Sequence, residues 1–139
     1  MKGVEVVQAF ADRISAQDVD GLCKLMTEDH CFVDGLGQKV RGRETMRNGW
    51  KGYYTMVPDY WIKIERIFKD ENSFGMFGTA GGTYTSDGTL KPENKWEIPA
   101  AWYAVIQDDL VAEWRVYADN DPIRQIIARE KERSGEALS

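Results

Sequence analysis

Residues 95–118 read KWEIPAAWYAVIQDDLVAEWRVYA, two alternating runs split by Asp108-Asp109. Both runs are rich in aromatic and β-branched side chains, the composition that fits a pleated, half-buried surface. A two-residue acidic break between them is a tight turn, and strands joined so closely must be antiparallel. Reading backwards, the period of two persists to Tyr60, giving strands over 60–69 and 73–85 joined at Asp70-Glu71-Asn72. Ser86 to Asn94, with Gly88 and Pro92, is a longer loop before the quoted stretch. Gly75, Gly78, Gly81 and Gly82 fall inside the second strand, where glycine signals a bulge or a close approach of two backbones. They do not form a phosphate-binding loop, because no helix follows them.

Upstream of Tyr60 the period is helical. Val7, Phe10, Ala11 and Ile14 share one face of a helix over residues 4–16. Asp18 is an N-cap for a second, short helix carrying Val19, Leu22, Leu25 and Met26, which closes at Thr27-Glu28-Asp29. Cys31-Phe32-Val33-Asp34 reads as a short strand, Gly35-Leu36-Gly37 as a turn and Gln38-Lys39-Val40-Arg41 as the return of a small hairpin. A third helix follows over 43–56, with Met46, Trp50, Tyr53 and Val57 on one face and Pro58 stopping it. Past the meander, Asp121-Pro122 starts a last helix whose apolar face is Ile123, Ile126 and Ile127.

Helices followed by a strand meander define an α+β domain, one curved antiparallel sheet wrapped around the N-terminal helices. A sheet bent into a cone leaves a hollow at its wide end, and such a hollow predicts one apolar pocket for a small molecule. The chain of 139 residues is read as one domain, with its ordered core over about 4–133.

Composition bounds the function. Lysine and arginine number 18 and aspartate and glutamate 23, so the net charge is −5 and a phosphate backbone is repelled. No apolar run approaches the roughly 20 residues of a membrane span, and the first residues lack the pattern of a signal peptide. Cys23 and Cys31 are expected as free thiols in a reducing compartment, with no disulfide needed for a core of this size. A cytoplasmic protein with neither membrane nor nucleic-acid partner is the expectation. His30 is the single histidine and reads as a surface residue beside Asp29, near the pocket mouth at most. No His/Cys/Asp set has metal-ligand spacing, and no metal or organic cofactor is expected.

Four stretches carry a resemblance: Val6 to Leu22, Asp29 to Gly37, Val40 to Glu44, and Trp114 to Asp119. Together they resemble the nuclear transport factor 2-like superfamily, and within it the SnoaL-like and ketosteroid isomerase-like group. The resemblance covers nearly the whole chain and implies the cone-shaped, cystatin-like fold. For function it implies a range, since the fold hosts isomerases, cyclases, dehydratases, epoxide hydrolases and non-catalytic modules. It places Asp34 where the isomerases keep their catalytic base, pointing into the cone with Phe32. The positions of the isomerase oxyanion donors are taken here by Phe10 and Ala101, and neither can donate a hydrogen bond. One such donor is worth about 2.7–4 kcal/mol, so steroid isomerase activity is not expected. Trp50 stands where a supporting tyrosine is usual, and its indole can still donate.

Asp34 is thus the candidate general base, with a competing reading as a hairpin-turn residue that accepts its own backbone N–H groups. With Ala101 set inward by the resemblance, alternation turns Glu97, Pro99, Tyr103 and Val105 inward as well. On the last strand Trp114, Val116 and Ala118 face in. Phe10, Phe32, Trp50, Tyr53, Ala101, Tyr103, Trp114 and Val116 are therefore the expected ligand contacts, with ordinary core packing as the bland reading of the aromatics. Glu97, Asp119 and His30 form a second tier, and Asp119 also reads as a turn residue. The same parity puts Trp102, Ala104, Ile106, Arg115 and Tyr117 on the outer sheet face, which predicts a homodimer interface there. A limonene epoxide hydrolase-like Asp–Arg–Asp relay cannot be assembled with Arg115 facing out. The expected function is a SnoaL-like protein for a small apolar or aromatic ligand. It is either a cofactor-independent isomerase, cyclase or hydratase using Asp34 on an apolar cyclic substrate, or a non-catalytic binding or dimerisation module.

Overall fold

A computed structural model describes residues 1–138, with side chains to Ser134. Three helices come early: α1 (Val4–Ser15), α2 (Val19–Lys24) and α3 (Arg43–Met56). The six strands are β1 (Met26–Val33), β2 (Lys39–Arg41), β3 (Trp61–Asp70), β4 (Ser73–Thr83), β5 (Lys95–Gln107) and β6 (Leu110–Ala118), and α4 (Asp121–Leu138) closes the chain. The strands form one sheet in the order β2-β1-β6-β5-β4-β3. This is the α+β cone architecture that the sequence implies.

Two local rules act as expected. The Asp18 side chain accepts from the Gly21 N–H at 2.9 Å and so caps α2. Gly78 lies where a Cβ would sit 1.8 Å from the Lys63 carbonyl oxygen, beside the irregularity between Ile64 and Arg66 in β3. Absence of a side chain there lets β3 bulge toward β4 and bends the sheet.

Three expectations need correction. The sheet is mixed: β1 runs parallel to β6, with Phe32 opposite Trp114 and Cys31 opposite Glu113. Only the local connections were visible as hairpins, and a pairing between the first strand and the last has no local signature. Secondly, β1 begins at Met26, so residues read as the end of α2 are strand. Val111 N donates to Leu25 O at 2.7 Å, and this tertiary pairing overrides helical spacing. Thirdly, the parity of β5 is reversed. Trp96, Ile98, Ala100, Trp102, Ala104 and Ile106 are buried, while Glu97 is exposed and Ala101, Tyr103 and Val105 are half-buried on the other face. A shift of one residue exchanges the two faces of a strand, and setting Ala101 inward introduced that shift.

The core lies between the helices and the inner sheet face. Val6, Val7, Phe10 and Ile14 of α1 are buried together with Trp102, Ala104 and Trp114. Burying each such large side chain contributes about 1.5–3 kcal/mol. Helix α3 presents Met46 and Trp50 to this core. The N-terminus of α4 is fixed by Asp119, whose Oδ1 accepts from Asp121 N at 3.0 Å. No helix among the described residues is long and apolar enough to cross a membrane.

Candidate functional site

A cavity of about 320 Å³ lies between α3 and the inner sheet face. Its interior is walled by buried side chains: Ile14 from α1, Trp50 from α3, Tyr60, and Trp96, Ile98 and Trp114 from the sheet. Gly35, Val40 and Gly49 also line it and are exposed, so the mouth opens between the β1–β2 hairpin and α3. Some of the aromatic rings meet near right angles, while Tyr60 is tilted at 34° to Trp50 and at 39° to Trp96. Trp50 and Tyr53 are 6.3 Å apart at 89°, and Tyr53 and Tyr60 are 4.9 Å apart at 83°. Edge-to-face contacts of this kind hold rings in fixed orientations.

Asp34 lines the cavity at this mouth. Its Oδ1 accepts from Leu36 N and Gln38 N, both at 2.9 Å. Its backbone N–H donates to Gln38 O at 3.0 Å, and its carbonyl accepts from Gly37 N at 3.0 Å. The hairpin thus fixes the carboxylate through one oxygen, and Oδ2 has no partner among the described residues. Asp34 organises the turn and also lines the mouth of the cavity.

Other expected contacts divide in two. Phe32, Trp50, Tyr53, Trp114 and Val116 line the cavity. Phe10 is fully buried behind that wall, 4.7 Å from the Trp114 ring. Ala101 and Tyr103 sit on the outer face, where the Tyr103 hydroxyl meets Ser73 Oγ at 3.0 Å. Glu97 is exposed on the same face, and Asp119 serves the start of α4. His30 is a further correction. It is 0% exposed, because β1 starts early enough to carry it inward. Its Nδ1 lies 2.7 Å from the Val111 carbonyl oxygen, its Nε2 has no partner, and burial lowers its pKa, so it stays neutral. The outer-face set is corrected too: Trp102, Ala104 and Ile106 point inward, and only Arg115 and Tyr117 of that group remain outside.

The reading of the sequence missed Tyr60, Trp96, Ile98, Ala100 and Asn120. Burial pushes the Tyr53 and Tyr60 phenols well above their usual range, so both stay protonated as hydrogen-bond donors. Neither hydroxyl has a hydrogen-bond partner among the described residues, and the same holds for the Asn120 side chain. The indole N–H groups of Trp50 and Trp96 are also unpaired, but they are sealed from solvent. Among the described residues no three His, Cys, Asp or Glu side chains converge as a metal site.

The fold recurs in known proteins. A structure described as a putative SnoaL-like polyketide cyclase from Jannaschia superposes with a TM-score of 0.77 at 19% identity, over 89% of this chain and 90% of that one. An LEH-like epoxide hydrolase from M. tuberculosis superposes with a TM-score of 0.72 at 18% identity, over 90% and 88%. A protein with a ketosteroid isomerase-like fold from Catenulispora acidiphila, crystallised in complex with trimethylamine, gives a TM-score of 0.71 at 18% identity, over 84% and 86%. At such identities the likeness is one of fold. No curated protein matches the sequence. The profile described as the SnoaL-like domain matches residues 7–121, spanning every element from α1 to the first residue of α4, and the chain belongs to that family.

Proposed function

We propose that the cavity binds a small, mostly apolar molecule and that Asp34 acts through Oδ2 as general base in a cofactor-independent proton transfer. The observation that carries this reading is the setting of Asp34. It is the single ionisable carboxylate on an aromatic lining, with one oxygen fixed by two N–H donors and the other unpartnered. A base held this way needs no reorganisation before it takes a proton. The protonated Tyr53 and Tyr60 phenols are the groups suited to donate to an oxygen on the substrate where negative charge develops. An isomerase that relies on donors at Phe10 and Ala101 is not supported, since one is behind the wall and the other outside the cone. A water-activating Asp–Arg–Asp relay is not supported either, because the lining holds one carboxylate and no arginine. The substrate class that fits is a cyclic or aromatic carbonyl compound. Small ligands are compatible with this fold, as the trimethylamine complex illustrates.

The test is Asp34→Asn, which keeps an Oδ1 acceptor for the turn. Loss of turnover of a neutral carbonyl substrate, with affinity for that substrate kept, supports the base. Equal loss of both, or no turnover by the native chain on any molecule that binds, leaves a non-catalytic binding module. That second reading has its own support, since Asp34 is already employed in the turn.

We also propose a homodimer through the outer face, now redrawn around Phe77, Tyr103 and Tyr117. Phe77 and Tyr117 are 54% and 53% exposed, a large apolar surface to leave in water. Phe77→Glu would then give a monomer in sedimentation, and an unchanged species would remove the proposal. The two buried, unpaired cysteines fit a reducing, cytoplasmic setting.

A further inference from the structure

The charge of the cavity lining constrains its ligand. Asp34 is the one ionisable acid on it, and no lysine, arginine or histidine is present there. Lys39 and Arg41 flank the mouth residue Val40 on β2, but alternation sends them to the opposite face of that strand. His30 is buried outside the lining and neutral. Around the remaining wall stand six aromatic rings, those of Phe32, Trp50, Tyr53, Tyr60, Trp96 and Trp114. Aromatic faces carry the negative end of a quadrupole and attract cations. An anion entering here gives up hydration and meets no positive partner, which is costly. A cation meets a carboxylate oxygen with no competing protein donor.

We propose that the ligand carries a protonated or quaternary nitrogen, seated at the mouth against Asp34 Oδ2, with its apolar body against the rings. This rests on the cavity being a ligand site, as argued above, and a cation seated on Oδ2 favours the binding reading of Asp34 over the general-base one. It deepens that reading by naming the charge class: an amine, not an acid.

The experiment uses three probes with one aromatic body: trimethyl(2-naphthylmethyl)ammonium, 2-acetylnaphthalene and 2-naphthylacetate. Affinities for the native chain are measured by calorimetry at low and high salt. The ammonium probe should bind at least about tenfold tighter than the neutral one, with the carboxylate weakest. Asp34→Asn should remove most of the ammonium advantage and leave the neutral probe unchanged. Glu28→Gln, the same change in net charge at an exposed site on β1 away from the cavity, should leave the advantage intact. A carboxylate that binds as tightly as the ammonium overturns the proposal, as does an ammonium advantage that survives Asp34→Asn. Binding of the neutral probe without charge preference sinks this inference alone. Failure of all three to bind sinks the ligand-site reading and this inference with it.

Discussion

The backbone N–H of Gln38 donates to Oδ1 of Asp34 across 2.9 Å, so a residue at the cavity mouth also closes the β1–β2 turn. Position and stability are therefore coupled at this residue. Asp34→Ala removes acceptors for both Leu36 N and Gln38 N, and should cost about 1–2 kcal/mol. Asp34→Asn retains an acceptor oxygen and should cost less than half of that. Urea unfolding of both variants decides it: equal losses would mean that the turn does not depend on the side-chain oxygen.

Glycines in β4 are not equivalent. At Gly78 a Cβ would meet the Lys63 carbonyl oxygen at 1.8 Å, whereas at Gly75 nothing lies within 4 Å. Gly78→Ala should therefore destabilise by about 2 kcal/mol or more, through a forced shift of the backbone of β3. Gly75→Ala should be neutral or stabilising by about 0.5 kcal/mol, since it limits the unfolded chain. Thermal melts that rank the two the other way would contradict the bulged pairing of β3 and β4.

The faces of β5 can be tested by one pair. Trp102 is 2% exposed and Glu97, at an odd position, is in water. Trp102→Ala should lose about 3–5 kcal/mol, and Glu97→Ala should stay within about 0.5 kcal/mol. Should Trp102→Ala fail to fold, Trp102→Phe serves, with a smaller loss expected in the same direction.

Stability should also depend on pH through His30. Burial lowers its pKa in the folded state, while an unfolded histidine titrates near 6.5. Below about pH 6.5 the unfolded chain therefore binds a proton that the folded chain refuses, and stability falls as pH drops. Above that value the histidine contributes no slope. Denaturant unfolding between pH 8 and pH 5 should show this loss, and His30→Gln should flatten it. A slope unchanged by the substitution would assign the effect to other groups.

Much of the fold was legible from periodicity because most elements advertise themselves locally: the apolar face of α1, the Asp18 cap, the turns at Asp70 to Asn72 and Asp108-Asp109. The β5 faces were legible as well. Lys95, Glu97 and Gln107 occupy odd positions, while Trp96, Ile98, Trp102 and Ile106 occupy even ones, and this alternation alone assigns the inner face. Anchoring Ala101 to a distant catalytic position overrode that pattern and hid Trp96 and Ile98. His30 was illegible for a different reason. Its burial follows from the extension of β1 back to Met26, which a partner from the far end of the chain imposes. Asn120 could have been suspected only by placing the start of α4 beside the hairpin, which is a tertiary relation.

The parallel pairing of β1 with β6 also sets an order of assembly. During synthesis β1 emerges early and finds β2 on one side, but its other edge stays open until β6 has been made. Phe32 and Trp114 are opposite one another in the finished sheet, so the cavity wall cannot exist in any nascent fragment that ends before β6. Contacts of such long sequence separation slow folding and leave a strand edge exposed meanwhile. A ribosome-bound chain should then acquire ligand affinity abruptly at release of its last strand rather than in steps, and C-terminal truncations reaching into β6 should aggregate instead of binding weakly.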